Sequence, residues 1–512
     1  MSSKPSAPHG ALSRLRSQAR YLSIGLIGLA LLSSCAVGPN FREPAAPETT
    51  GYRHDALPQA TVAPGGPTGD AQRFLTGTQV PERWWTTFAN DELNRRVEQA
   101  LTHSPTIASA QAALRQAQEN AGAARGPLFP AVDAKAGANR QNTINFGNSS
   151  GASTSSPYTL YNASVGVSYT LDLFGGVHRN IEAQSALADY QQYLLEGTYL
   201  TLAANVATTS FLEASLREQI RATEEIAGLY HQQLELTNKQ VEIGVKSEAD
   251  ALVAQSQLAT ANAQLPGLRK ALSQTQTQLA TYLGQLPAES QLTALNLDEL
   301  TLPHDIPVAL PSELVRRRPD IRAAEAQLHQ ASARVGIATA NLFPQISLSA
   351  SYGSQALDSG DLFGSGTAAW SLGLNLLQPI FRGGTLRAQK RASEAGLDKA
   401  AADYRSTVLT AFQNVADSLR ALELDAEALQ AQTSAQQATG KSLELVRIQY
   451  QEGAANYLQV LDATRQYQNA IILLIQARAA RLSDTAALYA AFGGGWQGDG
   501  APTADAAGAV SP

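Results

Sequence analysis

The stretch YNASVGVSYTLDLFGG, residues 161–176, alternates apolar with polar side chains and ends at two glycines. Its odd positions are apolar: Tyr161, Ala163, Val165, Val167, Tyr169, Leu171 and Leu173. Such alternation is typical of a β-strand, placed either in a half-buried soluble sheet or between lipid and water in a barrel. The stretch is long enough for a membrane strand, which needs about 9–11 residues. It therefore predicts a strand that ends close to Gly175 and Gly176, directly before the next element of the chain.

Long helices are predicted after this strand and again later in the chain. Residues 177–241 and 385–450 contain no proline, and at ~1.5 Å per residue each would reach roughly 100 Å. Apolar residues in the second segment follow steps of four and three, which is coiled-coil spacing. Gly244 and Gly453 suit the C-cap position at which such a helix ends and the chain turns back.

An internal repeat of roughly two hundred residues relates the two halves of the chain. HSPTIASAQAALRQAQ begins at His103 and RRPDIRAAEAQLHQAS at Arg317, so that Pro105 and Pro319 are 214 positions apart. The two LFP triplets, at Leu128 and Leu342, have the same offset. Repeats that keep their order and spacing predict an internal duplication. Each copy is expected to contain a helix, two strands, a long helix, a turn and a returning helix.

Four strands per chain are predicted, around residues 131–141, 161–173, 345–352 and 370–376. Four strands cannot close a barrel around a channel, and they leave sheet edges that need partners. Three chains would supply twelve. Beyond the first residues no apolar stretch approaches the length of a membrane helix, so any membrane crossing is expected to use a closed β-barrel. The predicted fold class is an α+β membrane protein whose β-barrel is closed by several copies of the chain and adjoins long helical hairpins.

The only cysteine, Cys35, follows a basic and then apolar N-terminal segment. Arg14, Arg16 and Arg20 precede the apolar residues 22–32, which is the pattern of a secretory signal peptide. LSSC at 32–35 resembles a bacterial lipobox, which predicts that Cys35 becomes the acylated first residue of the mature chain. The alternative is an ordinary signal peptide with an incidental cysteine. Acyl chains anchor a protein to a membrane without making it span.

Composition disfavours several classes of function. The formal net charge is −6, and it becomes −10 without the four basic residues of positions 1–34, which disfavours nucleic acid as a partner. Beyond Cys35 there is no Met or Cys, and no metal-ligand spacing exists among the seven His, so neither a metal nor a cofactor is expected apart from the covalent lipid. GNSSG at 147–151 and ATGKS at 438–442 lack the context of a nucleophile elbow and a P-loop. We therefore expect no enzyme.

The predicted organisation has six parts along the chain. Its order is a signal peptide (1–34), an acylated tether (35–80), a first repeat (81–284), a linker (285–310), a second repeat (311–492) and a disordered tail (493–512). The cluster Arg316, Arg317, Arg318 and Asp320 is interpreted as a helix start, with Asp320 in the first turn.

Several motifs, in this order and doubled, resemble one known family. They are CAVGPNFREP at 35–44, LPSELVRRRPDIRAAEAQL at 310–328, LFPQISLSASYG at 342–353, QPIFRGGTLRAQ at 378–389 and YQEGAANYLQVLDATRQY at 450–467. Together they resemble the TolC/OprM-type outer-membrane efflux channels, in particular the NodT-like lipoproteins of tripartite pumps. The resemblance implies a TolC-like homotrimer, with a 12-stranded outer-membrane β-barrel on a long α-helical periplasmic barrel. It further implies that the 285–310 linker lies in an equatorial region. It also implies passive conduction of substrates from a periplasmic adaptor and an inner-membrane RND-type pump.

The resemblance also suggests functional residues. It places a periplasmic gate at Leu458, Asp462 and Arg465, and adaptor-contacting tips at Gly244, Val245, Gly453 and Ala454. A ring of carboxylates in a narrow pore attracts cations, and a ring of leucines can close it by dewetting. The alternative for Asp462 is a solvated acid on a helix surface, and for the tip residues it is plain helix capping. Tyr450 is expected to hydrogen-bond a neighbouring helix or simply to pack.

A second function, of another class, remains as an alternative hypothesis to the channel. A structural or adhesive surface lipoprotein with a coiled-coil stalk would also have long helices and an acyl anchor. It would lack membrane-type alternation in the strands, which favours the channel. The transported substrate is left open among drugs, solvents and metals, although the absence of Met and Cys beyond Cys35 disfavours a dedicated Cu(I) relay.

Overall fold

The computed structural model describes residues 36–49, 51–146 and 153–494. The α-helices are α1 (Asp91–His103), α2 (Pro105–Ala123), α3 (Gly176–Glu242), α4 (Glu248–Tyr282), α5 (Pro311–Arg317), α6 (Pro319–Ala340), α7 (Thr385–Gln451) and α8 (Tyr457–Ala491). The strands are β1 (Arg73–Thr76), β2 (Ala131–Phe146), β3 (Ser153–Leu171), β4 (Asp305–Val308), β5 (Gln345–Ala356) and β6 (Ala368–Leu377). Helix, helix, strand, strand, long helix and helix therefore follow one another twice.

The chain divides into two compact units. The first contains the described residues within 36–43, 115–190 and 325–403. The second contains the described residues within 44–114, 191–324 and 404–494. The long helices α3 and α7 contribute residues to both units.

A four-stranded antiparallel sheet, in the order β2-β3-β5-β6, forms the centre of the first unit. Its register aligns apolar residues on one side of all four strands, which we call the apolar face. Two neighbouring rows of this face are Val132, Val167, Ala350, Leu372 and Ala134, Val165, Tyr352, Trp370. The large members of these rows are exposed in the single chain, up to 78% at Leu372. The alternate positions carry mostly Ser, Gly and Asn and form the polar face.

The strands extend further than the alternation predicts. Strands β2 and β3 pair as far as Phe146, the last residue of β2, and Ser153, the first residue of β3. The sequence at these strand ends shows no period-two alternation. At the other end β3 stops at Leu171 rather than continuing to Leu173. The reason is Asp172, whose carboxylate accepts a hydrogen bond from the backbone N–H of His178 (2.9 Å) in the first turn of α3. The residue therefore caps a helix instead of extending a strand.

The predicted long helices are present, and they match in length. Both α3 and α7 have 67 residues, and both returning helices, α4 and α8, have 35. ATGKS lies inside α7, as its helical context requires. GNSSG lies outside the described residues. In the described part of the chain, no helix combines the length and the apolar character needed to cross a bilayer.

The core of the second unit is built around aromatic residues that the sequence left unassigned. Trp84 packs on Tyr489 with ring centroids 5.6 Å apart, and Phe88 packs on Phe211 at 5.0 Å. A short parallel sheet of β1 and β4 joins segments that were predicted only as a tether and a linker. The arginine cluster was predicted to start a helix, and this is correct only for Asp320, in the first turn of α6. Arg316 and Arg317 lie in the last turn of α5, and Arg318 is its C-cap and donates to the carbonyl oxygen of Ala491 (2.8 Å).

Candidate functional site

The turns that end α3 and α7 have the same backbone geometry. Gly244 and Gly453 adopt φ of 76° and 75°, in the left-handed region that favours glycine. After Gly244, the N–H groups of Val245 and Lys246 both donate to the carbonyl oxygen of Gln240 (2.8 and 3.1 Å). The two residues after Gly453 donate in the same way to Gln449 (2.7 and 3.1 Å). Each turn thereby satisfies carbonyl groups at the end of its helix.

Capping boxes start both returning helices. Ser247 and Asp250 exchange side-chain to backbone hydrogen bonds at the start of α4, and Asn456 and Gln459 do so at the start of α8. The amide of Gln459, whose oxygen accepts from the Asn456 N–H (2.8 Å), is therefore engaged in the cap. Both turns are held at each side, so their tips are well-defined surfaces.

The four residues predicted as adaptor-contacting tips all lie at the surface of these turns. Val245 is 68% exposed, and Ala454 is exposed as well. No atom lies within 4 Å of where a Cβ would be placed on Gly244 or Gly453. The surroundings in the chain therefore do not require small residues here, and only the positive φ does. Capping accounts for the glycines; a contact with another protein would be an additional role.

The three predicted gate residues share one face of α8. Leu458 is 66% exposed, and Asp462 and Arg465 follow at helical spacing on the same exposed side. The opposite side of α8, at Tyr457, Val460, Leu461, Ala463 and Thr464, is buried. The exposed face is thus available to line a space outside the single chain.

Asp462 and Arg465 form an ion pair one helical turn apart. Arg465 Nη2 lies 2.7 Å from Asp462 Oδ1, and Gln466 donates to the other carboxylate oxygen at 2.6 Å. The pair brings a positive charge directly beside the negative one. Fixed charge on this face is consequently smaller than the carboxylate alone would give.

A lysine that the sequence did not single out connects the two hairpins. Lys246 Nζ donates to the Tyr450 hydroxyl (2.6 Å) and lies 5.1 Å from the Tyr450 ring centroid and 4.6 Å from that of Tyr457. Tyr450 therefore does hydrogen-bond another segment, although its partner lies in the turn between α3 and α4 and not on a neighbouring helix. In the sequence, the constant offset between the repeats was the signal that could have pointed to this contact, because it gives the two turns corresponding positions.

Burial raises the pKa of one phenol in this cluster, that of Tyr457. Desolvation, with smaller effects from Tyr450, Tyr230 and Asp250, raises the pKa of Tyr457 to about 12. The phenol therefore stays neutral at physiological pH, and its ring faces the Lys246 cation as a π-system rather than as an anion. Together these contacts form what we call the tip cluster: Lys246, Tyr450 and Tyr457.

The remaining predicted site residue, Cys35, lies outside the described residues. Within residues 36–49, 51–146 and 153–494, no group of three or more His, Cys, Asp or Glu side chains is arranged to hold a metal ion.

Comparison with known proteins shows the family to which the chain is similar. A family model described as "Outer membrane efflux protein" matches residues 97–285 and 310–494. The chain is 35% identical over 426 residues to the pyoverdine export outer membrane protein OpmQ of Pseudomonas aeruginosa, covering 81% of this chain and 88% of that protein. It is 31% identical over 471 residues to the toluene efflux pump outer membrane protein TtgC of Pseudomonas putida, covering 91% and 94%.

A solved structure agrees with the sequence comparisons. The outer-membrane channel OprN superposes with a TM-score of 0.80 at 28% sequence identity, covering 90% of this chain and 100% of that one. The match extends over nearly the whole described part, so it includes both the sheet and the long helices.

Proposed function

The chain belongs to the outer membrane efflux protein family and is the outer-membrane component of a tripartite efflux system, and we propose that three copies form one passive export channel. The observation that supports the trimer most directly is the sheet of the first unit. Among the described strands, β2 and β6 each pair on one side only. Open edges are costly and adhesive, and closure with copies of the same sheet removes them. Three sheets of four strands give the proposed 12-stranded barrel.

The two faces of the sheet suit such a barrel. Its apolar face would contact lipid, and its polar face of Ser, Gly and Asn would line a water-filled lumen. We propose that the second set of elements, from α5 to α8, arose by duplication of the first. In the proposed assembly the long helical hairpins extend into the periplasm, where an adaptor and an inner-membrane RND-type pump deliver the cargo.

The exposed face of α8 is proposed as the periplasmic gate. Threefold symmetry would turn Leu458, Asp462 and Arg465 into three rings. The leucine ring would close the pore by dewetting, and the Asp462–Arg465 pairs would leave only weak cation preference. The tip cluster would hold the closed arrangement by fixing the first hairpin turn against α7 and α8.

The tips and the N-terminus complete the proposal. Gly244, Val245, Gly453 and Ala454 would meet the adaptor, because Val245 and Ala454 are exposed on turns that are rigidly capped. Cys35 would carry a covalent lipid that holds the N-terminus at the outer membrane, and we propose no cofactor beyond it. No catalytic role is proposed for any residue.

The cargo is proposed to be chosen upstream of this chain. OpmQ is named for pyoverdine export and TtgC for toluene efflux, so relatives of one architecture serve unlike molecules. We propose that the pump and adaptor recognise the substrate, including drugs in the manner of multidrug export, while this channel conducts what it receives.

The test is a pair of measurements on the purified full-length protein. Native mass spectrometry should give a mass of three chains, and planar-bilayer recordings should give discrete conductance steps. A stable monomer without conductance would contradict the channel and would favour a stalk-like surface lipoprotein.

A further inference from the structure

A cleft of about 620 Å³ lies against the four-stranded sheet, beneath the loop that joins β5 to β6. This connection, residues 357–367, lies at the end of the sheet opposite to the ends that lead into α3, α6 and α7. Phe363, Gly364 and Thr367 of the loop line the cleft together with residues from all four strands. The loop thus forms a roof over the end of the sheet.

The loop lies on the apolar face. Ser354 belongs to this face because it pairs with Ala163 on one side and Ala368 on the other. The Ser354 hydroxyl donates to the carbonyl oxygen of Leu362 and lies 2.6 Å from the Thr367 hydroxyl oxygen. The Thr367 hydroxyl also donates to the Leu362 carbonyl oxygen, at 3.2 Å. Ser354 and Ala356 are buried at 8% exposure each, while Gln355 between them points to the other face and is exposed.

The floor of the cleft is a row of small residues. Ala136, Ala163, Ser354 and Ala368 are paired across the sheet in one row. The next row brings Val165 and Tyr352 into the lining. Short side chains beneath a bridging loop leave a recess, and Tyr352 and Phe363 provide large apolar walls. Most of the lining is therefore hydrocarbon or aromatic ring, and its polar members are Lys135, Ser164, Ser354 and Thr367.

The location of the cleft determines its occupant. On the proposed function, on which this inference rests, the apolar face of the sheet is in contact with membrane lipid. Residues 357–367 include no Lys or Arg, and the basic residue in the lining is Lys135 of β2. Phe363, 83% exposed, extends from the loop beside the opening of the cleft. We propose that this cleft is a lipid-binding site, in which an acyl chain of an outer-membrane lipid lies between the alanine floor and the Phe363 loop.

The test uses native mass spectrometry of the full-length protein, delipidated in detergent and then titrated with phosphatidylethanolamine. We expect wild type to retain lipid at about one molecule per chain. Ala163→Phe fills the floor and should weaken retention by about tenfold, because apolar contact area is lost to the added ring. Val167→Phe is the matched control: it adds a comparable ring to the same strand and face, outside the cleft, and should leave retention unchanged within about twofold.

A second variant guards against misfolding of the sheet. Phe363→Ala changes only the exposed roof and should also weaken lipid retention, while single-channel conductance stays at the wild-type value. Retention that is unchanged in both Ala163→Phe and Phe363→Ala, or equally weakened in Val167→Phe, would overturn the lipid site. A conducting wild type that retains no lipid overturns the cleft alone, whereas failure of the channel proposal would appear as absent conductance.

Discussion

The Lys246 ammonium donates a hydrogen bond across 2.6 Å to the Tyr450 hydroxyl, although the two residues are 204 positions apart in the chain. The first hairpin turn is thereby tied to the last turn of α7, next to the gate helix α8. The ammonium also faces two aromatic rings, and a cation held by a π-system and a hydroxyl together is worth about 1–2 kcal/mol.

Lys246→Met should loosen the proposed closed state. The substitution keeps the length of the side chain and removes its charge and its hydrogen bond. Losing about 1–2 kcal/mol changes a two-state population by roughly fivefold to thirtyfold, so we expect the open fraction in planar bilayers to rise by that factor. Lys239→Met, at an exposed lysine near the end of α3, is the control and should behave as wild type. Equal open fractions in both variants would rule out a gating role for the tip cluster.

Removing Arg465 and removing Asp462 should shift ion selectivity in opposite directions. In Arg465→Gln each Asp462 loses the cation 2.7 Å away, and three unbalanced carboxylates in a narrow ring should increase the preference for cations. Asp462→Asn should move selectivity toward anions. Reversal potentials in a salt gradient measure both shifts. The absence of any shift in either variant would mean that this face of α8 is merely solvated.

The stability cost of replacing a tip glycine should depend only on how well the new residue adopts a positive φ. Gly453 has φ of 75° and open space around its Cβ position, so Gly453→Ala should cost about 1 kcal/mol of local stability. Gly453→Asn should cost less, because asparagine tolerates the left-handed region. Hydrogen exchange of the turn amides measures the local opening. If both variants equally abolish binding of the adaptor while exchange stays slow, the glycine serves the partner rather than the turn.

Stability should depend on pH through Asp425 on α7. Burial, together with the Asp484 carboxylate, raises the pKa of Asp425 from 3.8 to about 7, against an opposing effect of Arg481. The folded chain binds a proton that the unfolded chain has already released above pH 4. The resulting stabilisation is present at low pH and is lost as the pH rises through about 7. Asp425→Asn should therefore raise the thermal midpoint by a few degrees at pH 8.5 and leave it unchanged near pH 3.5.

The matched control for this pH effect is Asp417→Asn, at an exposed acid on the same helix. It should leave the midpoint unchanged at both pH values. A gain for Asp425→Asn that is the same at pH 3.5 and pH 8.5 would show that proton binding at this site is not its cause.

Arg481 should be required for attachment of the N-terminal segment to α8. Its buried guanidinium donates to the carbonyl oxygens of Thr68 (2.7 Å) and Asp70 (2.8 Å). Arg481→Met would leave both carbonyls without a donor, at a cost of about 3 kcal/mol. Limited proteolysis should then cut around residues 61–70 well before wild type is cut. Arg420→Met, at an exposed arginine, should cost less than about 1 kcal/mol and leave proteolysis unchanged.

The elements that could be predicted from sequence are those whose signal is local. Proline-free segments and the two turn glycines located α3 and α7, and period-two alternation located the centres of β3, β5 and β6. The start of β3 at Ser153 could not be predicted, because backbone pairing with β2 holds it without any alternation of side chains. The short β1–β4 sheet joins segments that are more than two hundred residues apart.

The sequence could name candidate residues for the gate, but it could not show which side of α8 they face. Resemblance pointed to Leu458, Asp462 and Arg465, and only the burial of the opposite side of α8 shows that all three are exposed together. Lys246 was missed because its partners lie on another hairpin. No local sequence pattern indicates that a lysine contacts two tyrosines about two hundred residues further along the chain.

The equal lengths of the helices, 67 and 67 residues followed by 35 and 35, have a consequence for stoichiometry. A trimer built from such chains presents six hairpin turns of nearly identical backbone, so a partner that reads the backbone of the turn would find six sites. A partner that contacts the side chains would find two sets of three sites, since one turn carries Val245 and Lys246 and the other carries two alanines. Counting bound adaptor subunits per channel would tell which of the two descriptions the neighbouring protein uses.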